Sequence, residues 1–225
     1  GSKYDLLSHV RNHVKGMTIP QMYLKVPGVW TGGHEENLRF RSININHGPG
    51  NSIWWAAKLE DSGKLCELAQ KMYKFNIYKK EGIWFPHNEF FTDNGIRVYH
   101  TIQKEGDIVL VGPGALHWVR AESHSINTSW NFGTKDKIGL EQNLLRYEIN
   151  KQIKFRSLIP MMTLLLDVYN KEISFFDNAK KVYPVLRHSM KHYDYWIRRK
   201  SLISTCGILL LFLGLISMFW SYMII

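Results

Sequence analysis

The 225-residue sequence predicts a mainly β fold with α additions: a small barrel of short strands, then C-terminal helices and a transmembrane helix. Three observations carry that expectation. Between Gln21 and Phe132, short strand-like stretches are cut by turns rich in glycine and proline. Beyond Thr134 the apolar residues recur at a helical period. Ser201 to Ile225 carries no charged residue across 25 positions, where about 20 apolar residues suffice to cross a bilayer. The expected divisions are a core over 1–133, a helical segment over 134–200 and a membrane span over 201–225.

Residues 3–18 read as a short helix, with Leu6, Leu7, Val10 and Val14 at helical spacing and Gly16 near the end. Gln21 to Val26 reads as a strand that stops at Pro27-Gly28. In Phe40 to Asn46 polar and apolar residues alternate, which sets Ser42, Asn44 and Asn46 on one face and Ile43 and Ile45 on the other. Gly48-Pro49-Gly50 closes that strand. Asp61 to Tyr78 reads as helix, followed by a loop through Trp84, Phe85 and Pro86. Val98–Gln103, Asp107–Val111, Trp118–Ala121 and Ser125–Phe132 read as further strands, with turns at Gly106-Asp107 and Gly112-Pro113-Gly114. Leu140, Leu144, Tyr147 and Ile149 open the helical part, which continues over 158–169 and 179–196. Many short strands followed by helices suit a barrel with helical additions.

Composition narrows the function classes. With 45% hydrophobic and 21% charged residues the chain can bury a core, so a disordered tail or collagen-like repeat is excluded. Two cysteines cannot build a disulfide scaffold or a four-cysteine zinc site. The excess of 29 basic over 19 acidic residues, net +10, suits an anionic neighbour such as chromatin or a membrane surface, or is solvated surface. Ile197-Arg198-Arg199-Lys200 precedes the apolar tail, and Trp220 and Tyr222 lie near its far end, as flanking cations and interfacial aromatics would in a span. A buried C-terminal helix is the alternative. For the basic stretch 180–200, lipid headgroups are the plainer partner, and no sequence-specific nucleic-acid binding is expected. Gly1-Ser2 in place of an initiator Met reads as the start of a fragment.

The chemistry centres on His34-Glu35-Glu36. On an extended chain His34 and Glu36 project to one face and can hold one metal. His117, after the Gly112-Pro113-Gly114 turn, is the candidate third ligand. Two histidines and one carboxylate form the facial set of non-haem Fe(II) oxygenases, leaving positions open for a co-substrate and O₂. A 2-oxoglutarate co-substrate would need a cation and hydroxyl or amide donors. Lys25, Thr31, Ser42, Asn44 and Asn127 lie on the flanking strand segments. Spacing alone favours reading them as the exposed polar side of an edge strand. The pairs His9/His13 and His188/His192 lack a third ligand nearby and read as surface residues, while Cys66 and Cys206 read as inert buried thiols.

Several blocks share one resemblance. They are Met22 to Gly28, Thr31-x-Gly33-His34-x-Glu36-Asn37, Ser42-x-Asn44-Ile45-Asn46-x-Gly48-Pro49-Gly50, Gly114-x-x-His117-Trp118-Val119, Trp130-Asn131-x-Gly133 and Arg146-Tyr147-Glu148-x-Asn150-Lys151. Over residues 4–165 the sequence resembles the JmjC domain of the UTX/UTY histone H3 lysine-27 demethylases. The resemblance implies a double-stranded β-helix, a cupin-like jelly roll, with residues 1–133 as a catalytic core shortened at its N-terminal side. It implies His34, Glu36 and His117 as Fe(II) ligands; Lys25, Thr31, Ser42, Asn44 and Asn127 as 2-oxoglutarate contacts; and Tyr23 in a methyl-lysine pocket. It further implies a chromatin regulator in the nucleus whose partner is the histone H3 tail and whose products are succinate, CO₂ and formaldehyde. The family's C-terminal zinc module needs cysteines that this chain lacks after residue 160, apart from Cys206 in the tail. A non-histone protein substrate for demethylation or hydroxylation, or an idle scaffold anchored at the nuclear envelope or endoplasmic reticulum, are therefore the alternatives.

Overall fold

A computed structural model describes residues 4–80 and 82–171 of the chain. The chain divides into two units, Gly1–Asp177 and Asn178–Ile225, and all described residues belong to the first. Among the described residues no helix is long and apolar enough to cross a membrane. The span expected over 201–225, the helix over 179–196 and the His188/His192 pair lie outside the described residues.

Among the described residues there are eight strands: β1 (Gln21–Lys25), β2 (Trp30–His34), β3 (Arg41–Pro49), β4 (Ser52–Ala57), β5 (Val98–Gln103), β6 (Ile108–Val111), β7 (His117–Ala121) and β8 (Ser125–Phe132). They form two antiparallel four-stranded sheets, in the order β1-β8-β3-β6 and β2-β7-β4-β5. The helices are α1 (Ser62–Tyr73), α2 (Asn88–Asp93), α3 (Lys137–Gln152) and α4 (Met161–Lys171). The mainly β expectation holds, and the pair of sheets is the arrangement a jelly roll requires.

In the second sheet the start of β7 is buried on both sides, because two kinds of large residue alternate there. His117, Val119 and Ala121 point one way, while Trp118 points the other and is 1% exposed. Around Trp118 gather Leu65 and Ala69 of α1, Phe90 and Phe91 of α2, and Ile77 and Ile96. The Trp118 indole N–H donates to the Trp84 carbonyl at 2.9 Å, which satisfies its one polar atom inside this apolar layer.

The first sheet inverts the usual pattern. Along β3 the polar Ser42, Asn44 and Asn46 are the buried residues, and Ile43 and Ile45 are only half-buried. Met22, Leu24, Ile108 and Leu110 on the neighbouring strands are exposed. The polar residues therefore do not form the outward side of an edge strand. β3 lies between β8 and β6, and its polar face is interior. Burying amides where leucines would be more stable marks a face kept for chemistry.

Two local expectations change, and three elements lie outside them. The helix over 3–18 shrinks to a single 3₁₀ turn, Leu6–His9, because Asp5 caps it and Val10 is already extended. His9 and His13 consequently do not share a helix face. The helix expected to reach Tyr78 ends at Tyr73, where Lys74 turns left-handed and donates its N–H back to the Gln70 carbonyl. β2 runs through Thr31-Gly32-Gly33, a stretch with no strand pattern of its own. β4, whose Ser-Ile-Trp-Trp-Ala-Ala stretch alternates poorly, and the short α2 were not anticipated.

Candidate metal centre

His34 ends β2 and His117 begins β7, directly across the ladder from it. Glu36 follows in extended conformation (φ −61°, ψ 147°), two residues past His34, so both side chains project to one side. The ligand atoms of His34, Glu36 and His117 all lie within 4.8 Å of one another. His117 Nε2 is 3.7 Å from Glu36 Oε1, and the two imidazole centroids are 4.2 Å apart.

The backbone chooses which nitrogen each ring offers. His34 Nδ1 lies 2.9 Å from the Gly32 carbonyl, and His117 Nδ1 lies 3.0 Å from the Ala115 carbonyl. A carbonyl only accepts, so each Nδ1 carries the proton and each Nε2 keeps its lone pair for a metal. Burial, with the His34 ring second, lowers the His117 pKa to about 4, so that ring is neutral near pH 7. Burial would raise the Glu36 carboxyl, but His117 and His34, with hydrogen bonds from Asn131 and Ser42, hold it below its ordinary value. Two imidazoles and one carboxylate fit a divalent iron facially.

A β-bulge aims the neighbours of this set. From Thr31 to His34, three steps on β2 face two steps on β7, since Thr31 pairs with Val119 and His34 with His117. Strict alternation would put Thr31 and His34 on opposite faces, and the extra residue brings them to the same one. Gly32 and Gly33 are required there. A Cβ at Gly32 would lie 2.6 Å from the Gly82 carbonyl oxygen, and one at Gly33 would lie 2.5 Å from Trp118 Nε1.

Opposite the metal set lies the polar face of the first sheet. The register rows Tyr23–Asn127–Asn46, Lys25–Ser125 and Ser42–Asn131 all point to that interior. Lys25 Nζ donates to Ser52 Oγ at 3.2 Å, and burial lowers the lysine pKa to about 8. Asn127 Nδ2 donates to Asn44 Oδ1 at 2.9 Å, while Gln103 bridges Asn44, Asn127 and the Trp54 indole. Burial and then the Glu36 charge raise the Tyr23 phenol, as expected if it faces the metal set. Of the expected site residues, His117, Ser42, Asn44 and Asn127 are buried and His34, Glu36 and Lys25 half-buried, while Tyr23 and Thr31 are exposed.

Three neighbours were not singled out from the sequence as site residues. Asn131 donates to Glu36 Oε2 at 2.8 Å. Trp54 stacks on the His117 ring at 5.7 Å between centroids. Ser52 meets Lys25. Asn131 shares the inward parity of Asn127 on β8, a signal the alternation did contain. Cys66 is half-buried on α1, and burial pushes its thiol pKa up, in keeping with an unreactive thiol.

A family model described as JmjC domain, hydroxylase, matches residues 21–132. The human protein named lysine-specific demethylase 6B is 34% identical over 203 residues, covering 88% of this chain and 12% of that protein. Lysine-specific demethylase jmjd-3.1 of Caenorhabditis elegans is 29% identical over 187 residues, covering 83% of this chain and 17% of that protein. The chain therefore spans less than a fifth of the length of these relatives.

Proposed function

The chain belongs to the JmjC domain family, and on that premise we propose that it is an Fe(II)- and 2-oxoglutarate-dependent dioxygenase that demethylates a histone lysine. The observation that carries this reading is the convergence of His34, Glu36 and His117 within 4.8 Å, beside a buried polar sheet face flanked by the half-buried Lys25.

In this reading His34, Glu36 and His117 would hold the iron. Lys25 neutralises the distal carboxylate of 2-oxoglutarate, and Thr31, Ser42, Asn44 and Asn127 supply hydroxyl and amide contacts around it. Tyr23 borders the methylated lysine, and the Trp54 ring over His117 keeps water off that ligand. Iron with 2-oxoglutarate and O₂ supplies the oxidation of an N-methyl group, with succinate, CO₂ and formaldehyde as products. The chain's own contribution is to fix three donors, bind an anion and exclude solvent.

The substrate we favour is di- or trimethylated lysine 27 of the histone H3 tail, with the nucleus as the compartment. The test is formaldehyde release by the iron-loaded full chain on a panel of trimethyl-lysine peptides from histone H3 and from unrelated proteins. Preference for the lysine-27 peptide supports the assignment. Equal turnover of all peptides removes histone selectivity, and succinate without formaldehyde means a working iron site facing the wrong substrate.

A further inference from the structure

Glu35 stands between two ligands yet points away from them, into a buried ion network. Its Oε2 accepts from Arg39 Nε at 2.8 Å and from Arg146 Nη1 at 3.3 Å, and its Oε1 accepts from Arg39 Nη2 at 2.9 Å. Glu35, Arg39 and Arg146 are 2%, 4% and 1% exposed. Arg39 Nη1 donates onward to Gln142 Oε1 at 2.8 Å, and Arg146 donates to the Tyr78 carbonyl while its guanidinium lies over the Tyr78 ring. Gln142 and Arg146 both belong to α3.

The turn between Glu36 and β3 needs such a restraint. Leu38 and Arg39 hold positive φ of 53° and 56° in succession, a conformation unfavourable for side chains of this size. Helix α3 grips this turn twice: Asn143 Nδ2 donates to the Leu38 carbonyl at 2.8 Å, and Gln142 holds Arg39. Removing the restraint would let the turn relax, and the Glu36 carboxylate, one residue from Glu35 and two from Leu38, would move with it.

We infer that Glu35 is a positioning residue, which through Arg39 and Arg146 locks the His34–Glu36 ligand pair to helix α3. The inference rests on the metal reading above. Partners of this kind around a metal are worth about 10–100-fold in affinity.

The probe is Co(II), titrated into the full chain with its absorption spectrum recorded. Glu35→Gln should bind Co(II) about 10–100-fold more weakly, with an altered spectrum that reports a moved ligand. Because Glu35→Gln also leaves extra positive charge near the metal, Glu35→Gln with Arg39→Gln restores the native net charge without the carboxylate–guanidinium pairing. The double variant should stay weak; recovery of full affinity would reduce the effect to charge and overturn the inference. Arg11→Ala, which removes the surface pair with Asp167, should leave affinity unchanged, and a matching loss there would also overturn it. Should Glu35→Gln fail to fold, Gln142→Ala decides, since it removes one anchor of Arg39 and should weaken Co(II) in the same direction, whereas unchanged affinity and spectrum would refute the lock. If the unaltered chain binds no Co(II), the metal reading itself fails.

Discussion

The side-chain amide of Asn131 donates to Glu36 Oε2 at 2.8 Å, joining the ligand just past the end of β2 to β8 of the other sheet. The same amide lies 3.2 Å from the Arg41 carbonyl, so its orientation is fixed by backbone. With Oε2 held, Oε1 is the oxygen that faces His117 Nε2. Asn131→Ala should weaken metal binding about 10–100-fold while leaving the fold intact. Metal titration against a thermal melt of the metal-free protein separates the two effects. Asn131→Asp should be worse, because it sets a second carboxylate beside Glu36.

Lys25 gives the co-substrate site a pH dependence. Its ammonium is held by burial at about 8, well below the ordinary 10.5 for lysine. Below that value the charge is present and attracts a dianion. Above it the free protein loses the charge, whereas a bound carboxylate raises the lysine pKa in the complex. Affinity for 2-oxoglutarate should therefore be flat below about pH 8 and fall about tenfold per unit above it. Lys25→Arg, which keeps its charge, should remove the fall, as calorimetric titrations at several pH values would read.

Gly33 has no room for a methyl group. A Cβ there would meet Trp118 Nε1 at 2.5 Å and Cε2 at 2.8 Å, and Trp118 is packed on all sides. Gly33→Ala should destabilise the domain by about 1–3 kcal/mol, read by denaturant titration. It should also weaken metal binding, since His34 is the next residue.

Metal should stabilise the folded chain, because its ligands come from separate parts of the sequence. At a free metal concentration of about 100 times Kd the gain should be about 2.7 kcal/mol. For a domain of this size that raises Tm by about 5–10 °C. His117→Ala should abolish the shift, and a chelator should reverse it in the unaltered protein.

Strand alternation made much of this site legible in the sequence. Ser42, Asn44 and Asn46 could be put on one face from spacing alone, but spacing could not say whether that face was inside. Only the position of β3 between β8 and β6 decides that. Thr31 was harder, because the bulge between Thr31 and His34 reverses the face that alternation assigns. The pairing of Glu35 with Arg146 spans 111 positions and leaves no local signal. The helix expected over 3–18 stops early for a physical reason: Leu6 and Leu7 are packed within one 3₁₀ turn and Val10 is already extended, so the helical spacing of Val10 and Val14 is not used.

The most direct test of the account is an anaerobic calorimetric titration of the full chain with Fe(II), then 2-oxoglutarate. The account predicts one equivalent of each, with 2-oxoglutarate binding that needs metal, no Fe(II) binding in His117→Ala, and weakened 2-oxoglutarate in Lys25→Ala. A folded protein that takes up no Fe(II), or in which His117→Ala binds it as well as the unaltered chain, would contradict the assignment of His34, Glu36 and His117 as an iron site.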